Sequence, residues 1–159
     1  MVAIVTGSFD PITTGHLEVI REVAKEYETL YVVALLNPEK KGMFDLNQRK
    51  ELIQLAVAPF PNVVADSHSG LTADYMNQRG IKTIIRGVRN ENDMKYELKL
   101  AEAMKQFNSE FETRFVLCKE EYREITSTYI RECIVEGKNL KGLVPDAILE
   151  RVKEMYLKN

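Results

Sequence analysis

Apolar residues run along the chain in two rhythms: short unbroken blocks, and longer stretches spaced at three and four residues. Val2 to Val5 is the first block, and its lack of polar interruption predicts a strand covered on both faces. After a turn at Gly7 to Pro11, Thr13-Thr14-Gly15-His16 opens an amphipathic segment. Its apolar positions Ile20, Val23, Ala24 and Tyr27 share one helical face. Leu30 to Leu36 is a second block, rich in β-branched residues, and the polar loop Asn37 to Gly42 breaks it. Asp45, with Gln48 three residues on, predicts a capping box. Leu46, Leu52, Ile53, Leu55 and Ala56 form the apolar side of the helix that follows, and Pro59 and Pro61 end it. Val63 to Ala65 predicts a short strand, Leu71 to Gln78 a short helix closed by Gly80, and Lys82 to Ile85 a fourth strand running into Arg86-Gly87-Val88-Arg89.

A longer helix is predicted over Asp93 to Asn108 with two apolar rows, Met94, Leu98 and Ala101, then Leu100, Ala103, Met104 and Phe107. One row satisfies packing on a sheet; the second fits a partner surface or deeper burial within the chain. Arg114 to Cys118 is a fifth strand. Thr126-Ser127-Thr128 supplies capping hydroxyls for a helix to about Val135, which Gly137 ends. Pro145 takes the first-turn place of a last helix with Leu149, Val152, Met155 and Tyr156 facing inward. Strands and helices thus alternate five times, with crossovers long enough for parallel pairing. The pattern predicts an α/β chain: one Rossmann-like, doubly wound, five-stranded parallel sheet forming a single domain over residues 1–159, with no linker or repeat.

In such sheets ligands lie beyond the carboxyl ends of the strands. The candidate clusters follow strand ends: Gly7 to His16, Lys40, Arg86 with Arg89, and Thr126 to Thr128. A buried strand, a glycine-containing loop and a helix start make an anion site, because free backbone N–H groups and the helix dipole point into one crevice. Neither G-x-G-x-x-G nor G-x-x-x-x-G-K-[ST] is present.

The totals narrow the ligand. With 22 basic and 24 acidic residues and a net charge of −2, the chain exerts no global pull on nucleic acid, so a bound polyanion must be small and met locally. Its 159 residues suit one domain with a full core. Cys118 and Cys133 form no C-x-x-C and have no nearby histidine, which fits idle thiols in a reducing compartment. The chain enters a strand at once, with no signal peptide, and no apolar run approaches the roughly 18 residues of a membrane span, so a cytoplasmic protein is expected.

Gly7-Ser8-Phe9-Asp10-Pro11 followed by Thr13-Thr14-Gly15-His16, a Thr-x-Gly-His five residues after the serine, resembles the nucleotidylyltransferase superfamily, which attacks the α-phosphorus of a nucleoside triphosphate and releases pyrophosphate. Lys40-Lys41-Gly42-Met43-Phe44, Ile85 to Arg89 with Asp93, Tyr96 and Glu97, and Ile125-Thr126-Ser127-Thr128 narrow the match. Together these motifs make the chain similar, almost end to end, to the phosphopantetheine adenylyltransferase family. Thr6 and Gly42 stand where that family often has proline, and Lys95 interrupts its usual Phe-Glu. The resemblance implies transfer of AMP from ATP to 4′-phosphopantetheine, a magnesium ion bridging the ATP phosphates with no protein-held metal, and a homo-oligomer, a hexamer.

It also implies roles. His16 stabilises charge at the α-phosphate, against the alternative of a histidine that only caps its helix or packs on Phe9. Ser8 holds the attacking phosphate, or merely forms the turn. Lys40 reaches the same phosphates, or is solvated like Lys41. Arg89 binds ATP phosphates, and Arg86 the phosphopantetheine side or a structural carboxylate. Glu97 accepts from ribose or adenine, or orients Arg89. Phe9, Gly87, Val88, Tyr122, Arg123, Glu124, Ile125, Thr126, Ser127 and Thr128 complete the ATP site, with Gly87 leaving room for adenine. Leu71, Thr72 and Tyr96 serve the pantetheine arm. The competing readings are a nucleotidylyltransferase acting on nicotinamide mononucleotide or a phosphoalcohol, and a nucleotide sensor without turnover. Thr13 and Arg123 to Thr128 differ from the usual cytidylyltransferase pattern.

Overall fold

The computed structural model describes residues 1–159. Five parallel strands, β1 (Val2–Gly7), β2 (Thr29–Leu35), β3 (Val63–His68), β4 (Thr83–Val88) and β5 (Glu112–Leu117), form one sheet in the order β3-β2-β1-β4-β5. Helices α1 (Thr14–Ala24), α2 (Leu46–Val57), α3 (Thr72–Arg79), α4 (Glu91–Lys105), α5 (Ser127–Val135) and α6 (Leu149–Lys158) connect or follow them. The expected doubly wound α/β sheet is what the chain builds.

Alternation along each strand sends side chains to opposite faces, and the core divides accordingly. Ala3, Val5, Val32 and Ile85 pack with Ile20 of α1, Leu52 of α2, Ile130 of α5 and Val152 of α6. Ile4, Val33 and Ile84 pack on the other face with Ala73 and Met76 of α3, and Met104 of α4 leans on that cluster. Both layers exclude water from β1, which explains its unbroken apolar run.

Several boundaries differ from the sequence pattern for physical reasons. β3 extends through Asp66, Ser67 and His68, which pair with Val33, Ala34 and Leu35. As an edge strand it keeps these polar residues partly solvated, so hydropathy hides its second half. β4 continues to Val88, placing Arg86 and Gly87 inside the strand. On α2 the Asp45–Gln48 capping box forms as expected, but Leu55 is exposed and Arg49 is buried in the stripe instead. Tyr27 lies past the end of α1 and still packs against the core. Pro145 precedes a single 3₁₀ turn, Asp146–Ile148, rather than entering α6 directly. Gly80 ends α3 with φ +67°, a left-handed conformation that glycine adopts without a Cβ penalty. On α4, Leu100, Met104 and Phe107 border a large hollow, while Leu98, like Leu117 of β5, is exposed.

Leu52 is fully buried at the α2–sheet contact. Leu52→Ala is expected to lower unfolding free energy by about 2–5 kcal/mol, read from urea denaturation.

Candidate active site

Strand order reverses between β1 and β4, and the chain leaves these two strands toward opposite faces of the sheet: α1 belongs to one core cluster, Met104 of α4 packs on the other. Their carboxyl ends therefore stay uncovered and open a crevice. Two adjoining hollows occupy it. One, of about 440 Å³, is lined by Phe9, His16, Gly87, Arg89, Asp93, Cys118, Thr126 and Ser127. The other, of about 620 Å³, has an apolar wall of Leu35, Leu36, Leu100, Ala101, Met104 and Phe107, with Asn37, Pro38 and Thr72 at its margin. Thr6, Gly7, Ser8, Arg86, Tyr96 and Glu97 line both and form the junction.

His16 caps its helix and still faces the hollow. Thr13 Oγ1 accepts from the His16 amide at 3.1 Å, and His16 Nδ1 accepts from the Thr13 amide at 3.0 Å. The ring also meets Phe9 edge-on, 4.9 Å between centroids. The cap occupies only Nδ1. It thereby places the neutral ring's proton on Nε2, which has no partner in the chain and is a donor for an anion. Burial, with the nearby Arg89 and Arg86 guanidinium groups, lowers the His16 pKa from 6.5 to about 4. At neutral pH the imidazole is uncharged.

The two arginines are held by different carboxylates. Arg86 forks onto Glu97 with two contacts of 2.8 Å and donates Nη1 to the Thr6 hydroxyl at 2.9 Å and its carbonyl at 3.1 Å. Arg86 thus has a carboxylate partner within the chain while it still lines both hollows. Arg89 bonds Asp93 through its amide and Nε, both at 3.1 Å, and remains half exposed at the hollow's mouth. Glu97 therefore does not orient Arg89, as the one-turn spacing had allowed. Asp93 does, because it sits four residues past Arg89 at the first turn of α4.

At the start of α5, Thr126 Oγ1 accepts from the Tyr129 amide and Ser127 Oγ donates to the Pro11 carbonyl at 2.8 Å. Both residues line the smaller hollow, with the positive end of α5 behind them. Thr128 turns away, accepting from Arg131 beside a surface groove that also holds Lys41 and Gly42. Tyr122, Arg123, Glu124 and Ile125 line neither hollow: Arg123 donates to the Cys118 carbonyl at 3.4 Å, and Tyr122 backs Gly15. Val88 is buried and Leu71 caps α3 outside the cavity. Lys40 sits on an exposed loop and lines neither hollow, although Asn37 and Pro38 of that loop do.

Asp10, Arg49 and Arg131 are buried or engaged around the site in ways that the sequence pattern does not reveal. Asp10 lies inside the Gly7 to Pro11 turn, where its residue type alone suggests no more than a turn former. Arg49 carried one signal, a charged residue on the buried stripe of an amphipathic helix.

Comparisons with known proteins bear on this geometry. A family model described as cytidylyltransferase-like matches residues 4–133. The phosphopantetheine adenylyltransferase of Clostridium tetani is 40% identical over 151 residues, 95% of this chain and 94% of that protein. Those of Clostridium novyi and Anaeromyxobacter dehalogenans are 39% and 42% identical, again over 95% of this chain and 94% and 92% of theirs. The chain belongs to the phosphopantetheine adenylyltransferase family. The α/β expectation and the enzyme class, a nucleotidyltransferase, hold with it. No helix is long and apolar enough to cross a membrane.

In the free protein, His16 should titrate near pH 4, followed by NMR of its ring protons, and a midpoint near 6.5 would contradict the geometry described. The unfolded chain binds the proton more readily between those values, so His16 contributes fully to folding above pH 6.5 and loses that contribution as pH falls toward 4.

Proposed function

We propose that this chain transfers AMP from ATP to 4′-phosphopantetheine, giving dephospho-coenzyme A and pyrophosphate. The observation that carries the reading is the pair of hollows meeting at Ser8 and Arg86. The smaller is polar and edged by His16, Arg89 and the start of α5, which suits a nucleotide and its phosphates. The larger has a long apolar wall, which suits the pantetheine arm, with Thr72 and Tyr96 at its rim.

A phosphate oxygen of phosphopantetheine attacks the α-phosphorus; that O–P bond forms as the bond to the bridging oxygen of pyrophosphate breaks in line. The attacking phosphate is already ionised at pH 7, so positioning and charge stabilisation supply the catalysis. His16 Nε2–H donates to the α-phosphate oxygens as charge builds there. Ser8 holds the attacking phosphate, and Arg89 gathers the ATP phosphates with the α5 backbone at Thr126 and Ser127. Glu97, through Arg86, keeps the junction wall in place, and Gly87 leaves the strand end open to the base. Lys40 meets the phosphates by the Asn37 to Gly42 loop folding inward.

No group of three His, Cys, Asp or Glu side chains is arranged to hold a metal, and the two carboxylates lining the nucleotide hollow, Asp93 and Glu97, are engaged by arginines. Magnesium bound by the ATP phosphates themselves would neutralise charge on the leaving pyrophosphate. The chain acts in the cytoplasm as a single domain, and assembles through exposed apolar residues such as Leu98 and Leu117 into a homo-oligomer, a hexamer in the family reading.

Incubation with 4′-phosphopantetheine, ATP and magnesium should release pyrophosphate; release only with nicotinamide mononucleotide, or only from CTP, would redirect the assignment. His16→Ala is expected to cut kcat by about 10²–10³ while ATP binding persists, measured by pyrophosphate release and calorimetry. Sedimentation should show an oligomer at micromolar concentration, and a monomer there would remove the assembly reading.

A further inference from the structure

Asp10 touches neither hollow, yet three parts of the site converge on it. The residue is 4% exposed, and its carboxylate accepts from the backbone amides of Met43 and Phe44, each at 2.9 Å. Arg49, equally buried, lies 3.5 Å from Oδ1 and donates Nε to the Phe44 carbonyl at 2.8 Å and Nη1 to the Ser8 carbonyl at 3.3 Å. From α5, Arg131 donates to the Asp10 carbonyl at 2.9 Å. A charge this deep is costly unless paired and hydrogen-bonded, and the groups that satisfy it come from the loop after β2, from α2 and from α5.

Gly42, just before those amides, leaves no room beside the pair: a Cβ there would stand 1.8 Å from Arg49 Nη2 and 2.9 Å from Asp10 Oδ2. Lys40 lies two residues before that point. We propose that Asp10 is a positioning residue: it pins the base of the Asn37 to Gly42 loop against Ser8, so that Lys40 swings to the phosphate junction from a fixed pivot. The catalytic consequence rests on the adenylyl-transfer reading; the pinning does not.

Two measurements test it. Asp10→Asn keeps the side chain's size but turns an amide N–H₂ toward one of the two backbone donors, so one anchor is lost. Trypsin cleavage after Lys40 and Lys41 in this variant should quicken by about tenfold or more, while cleavage elsewhere keeps its rate. In pyrophosphate release, Asp10→Asn should lower kcat by about tenfold with the KM for ATP little changed. Combined with Lys40→Ala it should fall no more than about threefold below Lys40→Ala alone, because both act through one group. Combined with His16→Ala the losses should multiply.

Full multiplication with Lys40→Ala, an unchanged kcat, or unaltered trypsin cleavage would overturn the proposal. Should Asp10→Asn fail to fold, Gly42→Ala crowds the same pair from the loop side and must give both signatures; if it gives neither, the proposal falls. A wild-type protein that releases no pyrophosphate would defeat the functional reading, and the trypsin comparison would still judge the pivot.

Discussion

The reversal of strand order between β1 and β4 is the constraint from which the site follows. Backbone at the end of a central strand is normally covered by the helix it feeds. Here the chain leaves β1 for one face and β4 for the other, so both ends are left bare side by side. Loops must line that gap, and loops are where phosphate-binding amides can point outward without breaking a ladder. The apolar layers on both faces of the sheet hold β1 and β4 rigid beneath them. The loops that line the gap are therefore mounted on a floor packed from both sides.

Charge in this gap is arranged before any ligand arrives. Arg86 and Arg89 have their own carboxylates, Glu97 and Asp93, which fix the guanidinium groups in direction while leaving a net electropositive setting around His16. That setting, with burial, keeps the imidazole neutral. In the proposed reaction, a neutral ring with its proton on Nε2 would donate a hydrogen bond without carrying a full charge into the smaller hollow, which would concentrate its effect on the oxygens that gain charge during transfer. The capping contact to Thr13 thus does two things at once: it starts α1 and selects the tautomer.

The buried Asp10–Arg49 pair serves a different end. As a source of stability such a pair is weak, since desolvation offsets much of the attraction. Its value lies in joining Ser8, the Gly42 to Phe44 segment and α5 at one point, which an apolar contact of equal volume could not orient.

Local rules read from the sequence reached far. Unbroken apolar blocks marked β1 and β2, the Asp45–Gln48 box marked α2, and Gly80 marked the end of α3, because each depends on neighbours within a few residues; the Gly7 to His16 loop likewise marked a segment that lines the smaller hollow. The rest depended on groups distant in sequence. That Arg86 answers Glu97 and Arg89 answers Asp93, that Leu55 yields its buried place to Arg49, and that Lys40 stands outside both hollows are settled by which partner packing brings near. Hydrophobic period records how much of a helix face is covered, and only the folded chain decides by what. Asp10 shows the division plainly: its residue type was visible within the motif, but its four contacts come from residues 33 to 121 positions away, and nothing short of the tertiary fold brings them together.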